Sequence, residues 1–389
     1  MKILMLHPHD IFSYAEPWTV RIVSLAQEFR NKGHEVRLAY CPLGAQGEKR
    51  RIDLRGIEVI ALSRRAGINN LLGNLLKVRK AAQWAEVIHF QKYFHYIAIP
   101  ALLCSWYLNK PVHYDWDDWE EKIWQHSNKK SIHSFIFGRF IRFLEAYIPR
   151  LADTVSVSSR KLEELCLGLG VERSRVFYVP VGADIEKFGP HISGKRIREE
   201  CGLDGKPLIM YIGQLHSGQY VHILIEAANI VLHHYPEAKF LIIGKGYMLG
   251  QLRELVRQRG VEGRIIFTDS IAYEFIPEYI AAADICVAPF EDNEITACKS
   301  PLKVAEYLAS GKPIVTSLVG EMRNMAGGAG LFVEPGNHIA LANGIIALLK
   351  DDQLRQRMGL ISRRRAEDKY NWPHAAGEIL KAYKKALNL

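Results

Sequence analysis

Apolar residues along this chain fall into short runs that alternate with longer stretches of helical periodicity. Lys2–His7 is such a run, Thr19–Lys32 repeats its apolar side chains at helical spacing, Gly33 stands where a C-cap belongs, and Glu35–Tyr40 is apolar again. A strand, a helix and a second strand in that order predict a βαβ unit. Further strands are predicted at Gly56–Leu62, Val87–Phe90, Val112–Trp116, Thr154–Val157 and Val176–Val179, with helical patterns between most of them. A second series runs through Leu208–Ile212, Lys239–Ile243, Arg264–Thr268, Ile285–Ala288, Ile314–Thr316 and Gly330–Val333. Strands that alternate with helices predict a parallel, doubly wound sheet. The chain therefore reads as two α/β domains, residues 1–187 and 188–368. The turn residues of Val179–Asp184 and Phe188-Gly189-Pro190 mark the linker between them, and residues 369–389 hold a final helix from Trp372.

Composition agrees with two folded cores: 389 residues, 48% hydrophobic, 24% charged and no low-complexity tract. The uncharged stretch Tyr93–Asn109 is broken by Pro100 and falls short of the ~20 residues a bilayer span requires. The apolar run at the start ends at His7-Pro8-His9-Asp10, too short for a secretory leader, so a cytoplasmic protein is expected. Six cysteines lie scattered without a Cys-x-x-Cys pair, which predicts reduced thiols and no metal cluster.

Charge is uneven. Residues 1–187 carry an excess of seven basic side chains, residues 188–389 an excess of two, and Lys49–Lys92 alone holds ten basic against three acidic. Such a patch is either a solvated face or a site for an anionic partner: a membrane surface, a phosphorylated acceptor or nucleic acid on electrostatics alone. Two apolar stripes sharpen this. Ile68, Leu71, Leu72, Leu75 and Leu76 recur at helical spacing beside Lys77, Arg79 and Lys80, as in interfacial helices, and Ile132, Phe135, Ile136, Phe140, Phe143, Leu144 and Tyr147 form the other. Each stripe is either core or membrane contact. The membrane reading gives a protein peripheral on the inner face of an anionic membrane, with a lipid-linked or membrane-proximal acceptor and no nucleic-acid partner.

Paired sheets of this kind bind ligands at the carboxyl ends of their strands, here expected in a cleft between the domains. A dehydrogenase is disfavoured because Gly244-Lys245-Gly246 lacks the third glycine of the dinucleotide fingerprint. A periplasmic binding protein needs an export signal. More specific is an ordered series in the second half: Tyr211-Ile212-Gly213, Leu224-Ile225-Glu226-Ala227, Gly244-Lys245-Gly246, Ala282-Ala283-Asp284, Pro289-Phe290, the segment from Ser300 to Pro313, and Val333-Glu334-Pro335-Gly336. It resembles the nucleotide-binding domain of retaining glycosyltransferases of family 4 (glycosyl transferases group 1). The first half is similar to that family through Gly33-His34-Glu35-Val36, Ala152-Asp153, Ser156-Val157-Ser158 and Val179-Pro180, and the Trp372 helix resembles the one that crosses back onto the first domain. The resemblance implies a GT-B architecture, two Rossmann-like doubly wound parallel-sheet domains facing each other across a cleft. It also implies a nucleoside diphosphate sugar as co-substrate, a glycan or lipid-linked acceptor, and no tightly bound metal or other cofactor.

The segment from Ser300 has a physical reading of its own. Ser300 is a good N-cap and Pro301 a good first helical residue, so a helix is expected to start there with its free N–H groups available to phosphate. Lys303 in the first turn is unfavourable for an isolated helix unless an anion neutralises it. By resemblance, Glu306 one turn later accepts the ribose hydroxyls, and Gly213, Gly244, Lys245, Lys299 and Leu302 join Ser300, Pro301 and Lys303 on the donor. The family's phosphate-gripping arginine and lysine are Gln214 and Gln219 here, its first glutamate is Cys298, and its histidine after the fourth strand of the first domain is Asp117. Asp115, Asp117 and Asp118 offer three readings: a metal motif, strand-end capping, or a carboxylate at Asp117 that orients the acceptor hydroxyl or takes its proton. Trp116 and Trp119 offer faces for a sugar ring, and Glu16 with Arg21 is expected on the acceptor side, where Glu16-Pro17-Trp18 replaces the family's glycine-rich turn. Transfer of a hexose-type sugar is the function expected, with catalytic roles for Asp117, Lys303 and Glu306. A sugar-nucleotide-binding pseudoenzyme and a nucleotide-sugar epimerase remain as alternatives.

Overall fold

Parallel strands covered on both faces need apolar side chains on both sides, and the strand sequences supply them: Leu208–Ile212 reads LIMYI and is buried throughout except at its last residue. The computed structural model describes residues 1–12, 16–43, 54, 56–65, 67–127, 131–203, 205–216, 218 and 220–389. They form two compact units. The first comprises Met1–Val181, Cys298–Ser300 and Trp372–Leu389, the second Gly182–Ala297 and Pro301–Asn371.

In the first unit the strands are β1 (Lys2–His7), β2 (Glu35–Tyr40), β3 (Glu58–Ala61), β4 (Val87–Gln91), β5 (Val112–Trp116), β6 (Thr154–Val157) and β7 (Val176–Tyr178). They lie parallel in the order β3-β2-β1-β4-β5-β6-β7. The order reverses between β1 and β4, the topological switch point at which doubly wound sheets place ligands. Helices α1 (Pro17–Asn31), α2 (Ile68–Trp84), α3 (His95–Leu108), α4 (Glu120–Ser127), α5 (Ile132–Leu151) and α6 (Arg160–Gly168) belong to this unit.

The second unit repeats the plan with β8 (Leu208–Ile212), β9 (Lys239–Ile243), β10 (Ile265–Thr268), β11 (Ile285–Ala288), β12 (Ile314–Ser317) and β13 (Gly330–Val333), ordered β10-β9-β8-β11-β12-β13 and all parallel. Its helices are α7 (Lys195–Glu200), α8 (Val221–His234), α9 (Leu249–Gln258), α10 (Ile276–Ala282), α11 (Glu294–Cys298), α12 (Leu302–Ala309), α13 (Met322–Ala326), α14 (His338–Lys350) and α15 (Asp352–Asp368). The last helix, α16 (Trp372–Ala386), belongs to the first unit, where it packs on α1 and on β5–β7. Tyr383 anchors it: its ring lies 5.5 Å from that of Phe29, and its hydroxyl is 2.7 Å from Nδ1 of His89.

The six cysteines form no disulfide with one another. Among the described residues no helix is long and apolar enough to cross a membrane.

Candidate functional site

Polar side chains gather at the carboxyl end of the first sheet. β1 ends on His7, β4 on Gln91 followed by Lys92, β5 is followed by Asp117 and β6 by Ser158. Because these strands are neighbours in parallel register, their ends come together without any proximity in sequence. Gln91 is the hub: its Oε1 is 2.8 Å from Nδ1 of His7, and its Nε2 donates to Asp117 Oδ2 at 3.0 Å. His7 also reaches Thr19 of α1, and the Ser158 hydroxyl donates to the Asp117 carbonyl at 2.7 Å.

Lys92 is only 3% exposed, yet its ammonium lies 3.2 Å from Asp117, 2.9 Å from Asp118 and against Glu120. It also sits 4.7 Å from the centroid of the Trp18 ring. Burial works against this cation, but the three carboxylates more than offset it and hold its pKa well above that of an ordinary lysine. Asp117, 8% exposed, is pushed up to about 7 by burial and by Asp118, with Lys92 opposing. A carboxyl group that changes charge near neutrality beside a strand end is suited to take or hold a proton.

Asp115 is different. It pairs with Arg21 through two 2.8 Å hydrogen bonds and accepts another from Ser156 at 2.6 Å. Burial works against its charge, but the Arg21 guanidinium wins and holds the pKa below the usual carboxylate range. Arg21 is 2% exposed, so the expectation that it lines the acceptor side is corrected: it is a buried counter-ion beneath the site. Trp116 is likewise buried, its indole N–H donating to Glu145 at 3.2 Å, and offers no face to a sugar. Trp119 is partly buried with Lys122 over its ring, and Glu16 accepts from the Trp18 indole at 3.1 Å. Asp115 thus faces Arg21 and Ser156, and Asp117 and Asp118 face Lys92. Among the described residues no group of three or more His, Cys, Asp or Glu side chains is placed to hold a metal ion.

Glu145 was not anticipated. On the buried face of α5, it accepts the backbone N–H groups of Glu120 at 3.0 Å and Glu121 at 2.8 Å, the first turn of α4. A carboxyl group from another helix therefore caps α4 beside the loop that carries Asp117 and Asp118. Burial pushes Glu145 up to about 8, with the Glu121 N–H opposing.

In the second unit the loops after β8 and β9 are laced together. Gly213 N–H donates to Ile243 O at 3.0 Å and Leu215 N–H to Lys245 O at 2.9 Å. A Cβ on Gly244 would stand 1.8 Å from the Gly213 carbonyl oxygen, and Gly244 has φ +145°, so only glycine permits this approach. Gly213 has φ +154°, and a Cβ there would meet Lys303 Nζ at 2.6 Å. The missing side chain thus makes room for the Lys303 ammonium, which lies 4.0 Å from the Tyr211 ring centroid. Glu306 is 3% exposed, and burial pushes its pKa up to about 8 against Tyr273 and Lys303. Its Oε1 accepts no hydrogen bond from the described residues, an open valence suited to a hydroxyl donor.

The start of α12 needs correction. The helix begins at Leu302, with Pro301 in extended conformation at the N-cap position and no side-chain cap. Ser300 is drawn away because its hydroxyl accepts the Val181 N–H at 3.1 Å. Lys303 is therefore the second helical residue. Cys298, Lys299 and Ser300 belong to the first unit: Cys298 is buried in its core, and Lys299 lies near Asp118, with burial lowering its pKa. Gln214 is half-buried and Lys245 exposed. Gln219 lies outside the described residues, as does much of the basic run from residue 49 to residue 55.

Residues 19–182 match the family described as glycosyl transferase 4-like domain, and residues 206–351 the family described as glycosyl transferases group 1. The chain is similar to a D-inositol 3-phosphate glycosyltransferase of Xylanimonas cellulosilytica, 27% identical over 256 residues that cover 62% of this chain and 59% of that protein. It is also similar to the alpha-D-kanosaminyltransferase of Streptomyces kanamyceticus, 27% identical over 190 residues and 48% of each chain. The chain thus spans between 48% and 59% of the length of these relatives. Among solved structures, HepE of Anabaena in complex with UDP superposes with a TM-score of 0.74 at 18% identity, covering 98% of this chain and 99% of that one. Sucrose-phosphate synthase of Thermosynechococcus elongatus superposes with a TM-score of 0.76 at 19% identity, covering 99% and 98%. At these identities the superpositions speak for the fold.

Proposed function

Because the chain belongs to the group 1 glycosyltransferases, with a 4-like first domain and the two-sheet GT-B architecture, we propose that it transfers a hexose-type sugar from a nucleoside diphosphate sugar to an acceptor, with retention at the anomeric carbon. The observation that carries this reading is the group formed by Gly213, Lys303 and Glu306: a cation beside a position without a side chain, and a buried carboxyl oxygen with an open valence. The first suits a diphosphate, the second a ribose hydroxyl. HepE, the structural neighbour named above, was solved with UDP, which favours a nucleotide of that type here. Sugar transfer from such a donor depends on stabilising the diphosphate as it leaves, which Lys303 and the first N–H groups of α12 supply without a tightly bound metal. Asp117, titrating near 7, orients the acceptor hydroxyl or takes its proton. The acceptor we infer is a lipid-linked or cell-envelope glycan, met by a cytoplasmic protein at the inner membrane face.

Calorimetric titration with uridine, guanosine and adenosine diphosphates and their sugars tests the donor. One of them is expected to bind. Lys303→Gln should weaken that binding by about 1–3 kcal/mol, the value of a charge-assisted hydrogen bond, and Lys299→Gln by less. Silence from every ligand at millimolar concentration contradicts the reading. A binding-only protein is the second reading, favoured by glutamine at position 214 and by Cys298, which lies buried in the first unit's core.

A further inference from the structure

The two apolar stripes have different partners than a core would give them. Helix α5 buries Gly138, Ile141, Glu145 and Ile148 and turns the opposite face outward. On that outer face Ile132 is 73% exposed and Phe135 65%, with Ile136, Phe143, Tyr147 and Leu151 also exposed. The spacing of three, four, seven and eight residues keeps them on one side of the helix. Helix α2 does the same with Ile68, Leu72 and Leu76, while Asn74, Val78, Ala81 and Ala82 face the core. Between them α3 exposes Leu103, Tyr107 and Trp106, the last at 81%.

These helices are neighbours. α3 packs on α2 and on α5; Arg79 of α2 lies over the ring of Tyr107 at 5.0 Å, and His95 of α3 is 6.0 Å from the ring of Phe140. Three neighbouring helices of the first unit thus each leave apolar and aromatic side chains exposed, more than soluble surfaces usually leave bare.

Charge decides what covers it. The charged side chains exposed on α2, α3 and α5 are Lys77, Arg79, Lys80, Arg139, Arg142 and Arg150, and the one acid on the three helices, Glu145, is buried. The guanidinium groups of Arg139 and Arg150 lie 6.0 and 5.5 Å from the ring centroids of Phe135 and Tyr147, so cations and exposed rings share the same surface. A second copy of the same face would set cations against cations. A phospholipid surface with anionic headgroups satisfies both features: the rings enter the headgroup boundary and the cations meet phosphate.

We propose that the α2–α3–α5 face docks the first unit on an anionic phospholipid bilayer. This surface belongs to the first unit and its docking needs neither sugar nucleotide nor acceptor, so its test is separate from that of sugar transfer. The full chain is mixed with vesicles of phosphatidylcholine, or of phosphatidylcholine with an equal part of phosphatidylglycerol, and sedimented. Binding is expected with the anionic vesicles only, and to fall as salt rises. Phe135→Ser with Phe143→Ser, and separately Lys80→Glu with Arg139→Glu, should each lower the partition coefficient about tenfold or more. All four positions are exposed, and thermal melts show whether each variant is folded; if the phenylalanine pair is not, the charge pair decides. The proposal is overturned if neither vesicle binds the parent, if neutral vesicles bind it as well, or if the charge variant binds like the parent. A dimer that this charge variant alters, with no vesicle binding, overturns it in favour of a second copy.

Discussion

Burial gives Glu306 a pH signature. Its pKa in the folded protein, about 8, lies above the ordinary glutamate value of 4.5, so the folded protein holds the proton more tightly than the unfolded chain does. The stability this proton contributes is complete below the ordinary pKa and is lost as pH rises between about 5 and 8. Glu306→Gln removes that loss. Thermal melts should show the parent's midpoint falling relative to the variant's across this range; parallel profiles contradict the assignment. At this scale the sequence pointed to Lys303 because a proline and an unfavourably placed cation at a helix start are local signals, and to Glu306 through the family resemblance. Lys92 was invisible by comparison, since Asp117, Asp118 and Glu120 lie far from it along the chain and meet it only through the register of β4 and β5. Its one clue is its place just past the carboxyl end of a buried strand. Arg21 was misjudged for the same reason, its partner Asp115 being 94 residues away.

Among the elements, α5 joins two tasks on opposite faces. Glu145 on the inner face holds the first turn of α4, and Glu145→Ala would leave two backbone N–H groups and the Trp116 indole without their acceptor. Urea denaturation should show a loss of about 2–4 kcal/mol, with Glu145→Gln losing less because it keeps one acceptor oxygen. A variant as stable as the parent shows that α4 does not depend on this cap. The strands and most helices were legible, because apolar runs of strand length between helical stretches leave few alternatives. Element ends were less so: β3 is shorter than its apolar run, and α12 starts one residue late because Val181 takes the Ser300 hydroxyl. Periodicity alone also failed to say whether the α5 stripe faced the core, for Glu145 lies inside the same helix and looks like an interruption when it marks the buried side.

At the scale of the whole molecule, the duplicated sheet order places one polar cluster at the strand ends of each unit, the first around Asp117 and the second around Lys303; we propose that the first exchanges a proton and the second holds an anion. Sugar transfer, as proposed, joins these tasks in one reaction. The direct measurement is mass spectrometry of lipid and glycan extracts after the purified chain is incubated with membranes and an isotopically labelled sugar nucleotide, chosen by the binding screen. An acceptor heavier by one labelled hexose is expected, formed by the parent and sharply reduced by Lys303→Gln and by Asp117→Asn. Free labelled sugar or its epimer as the main product, or donor bound and left unchanged in the presence of every acceptor, contradicts it.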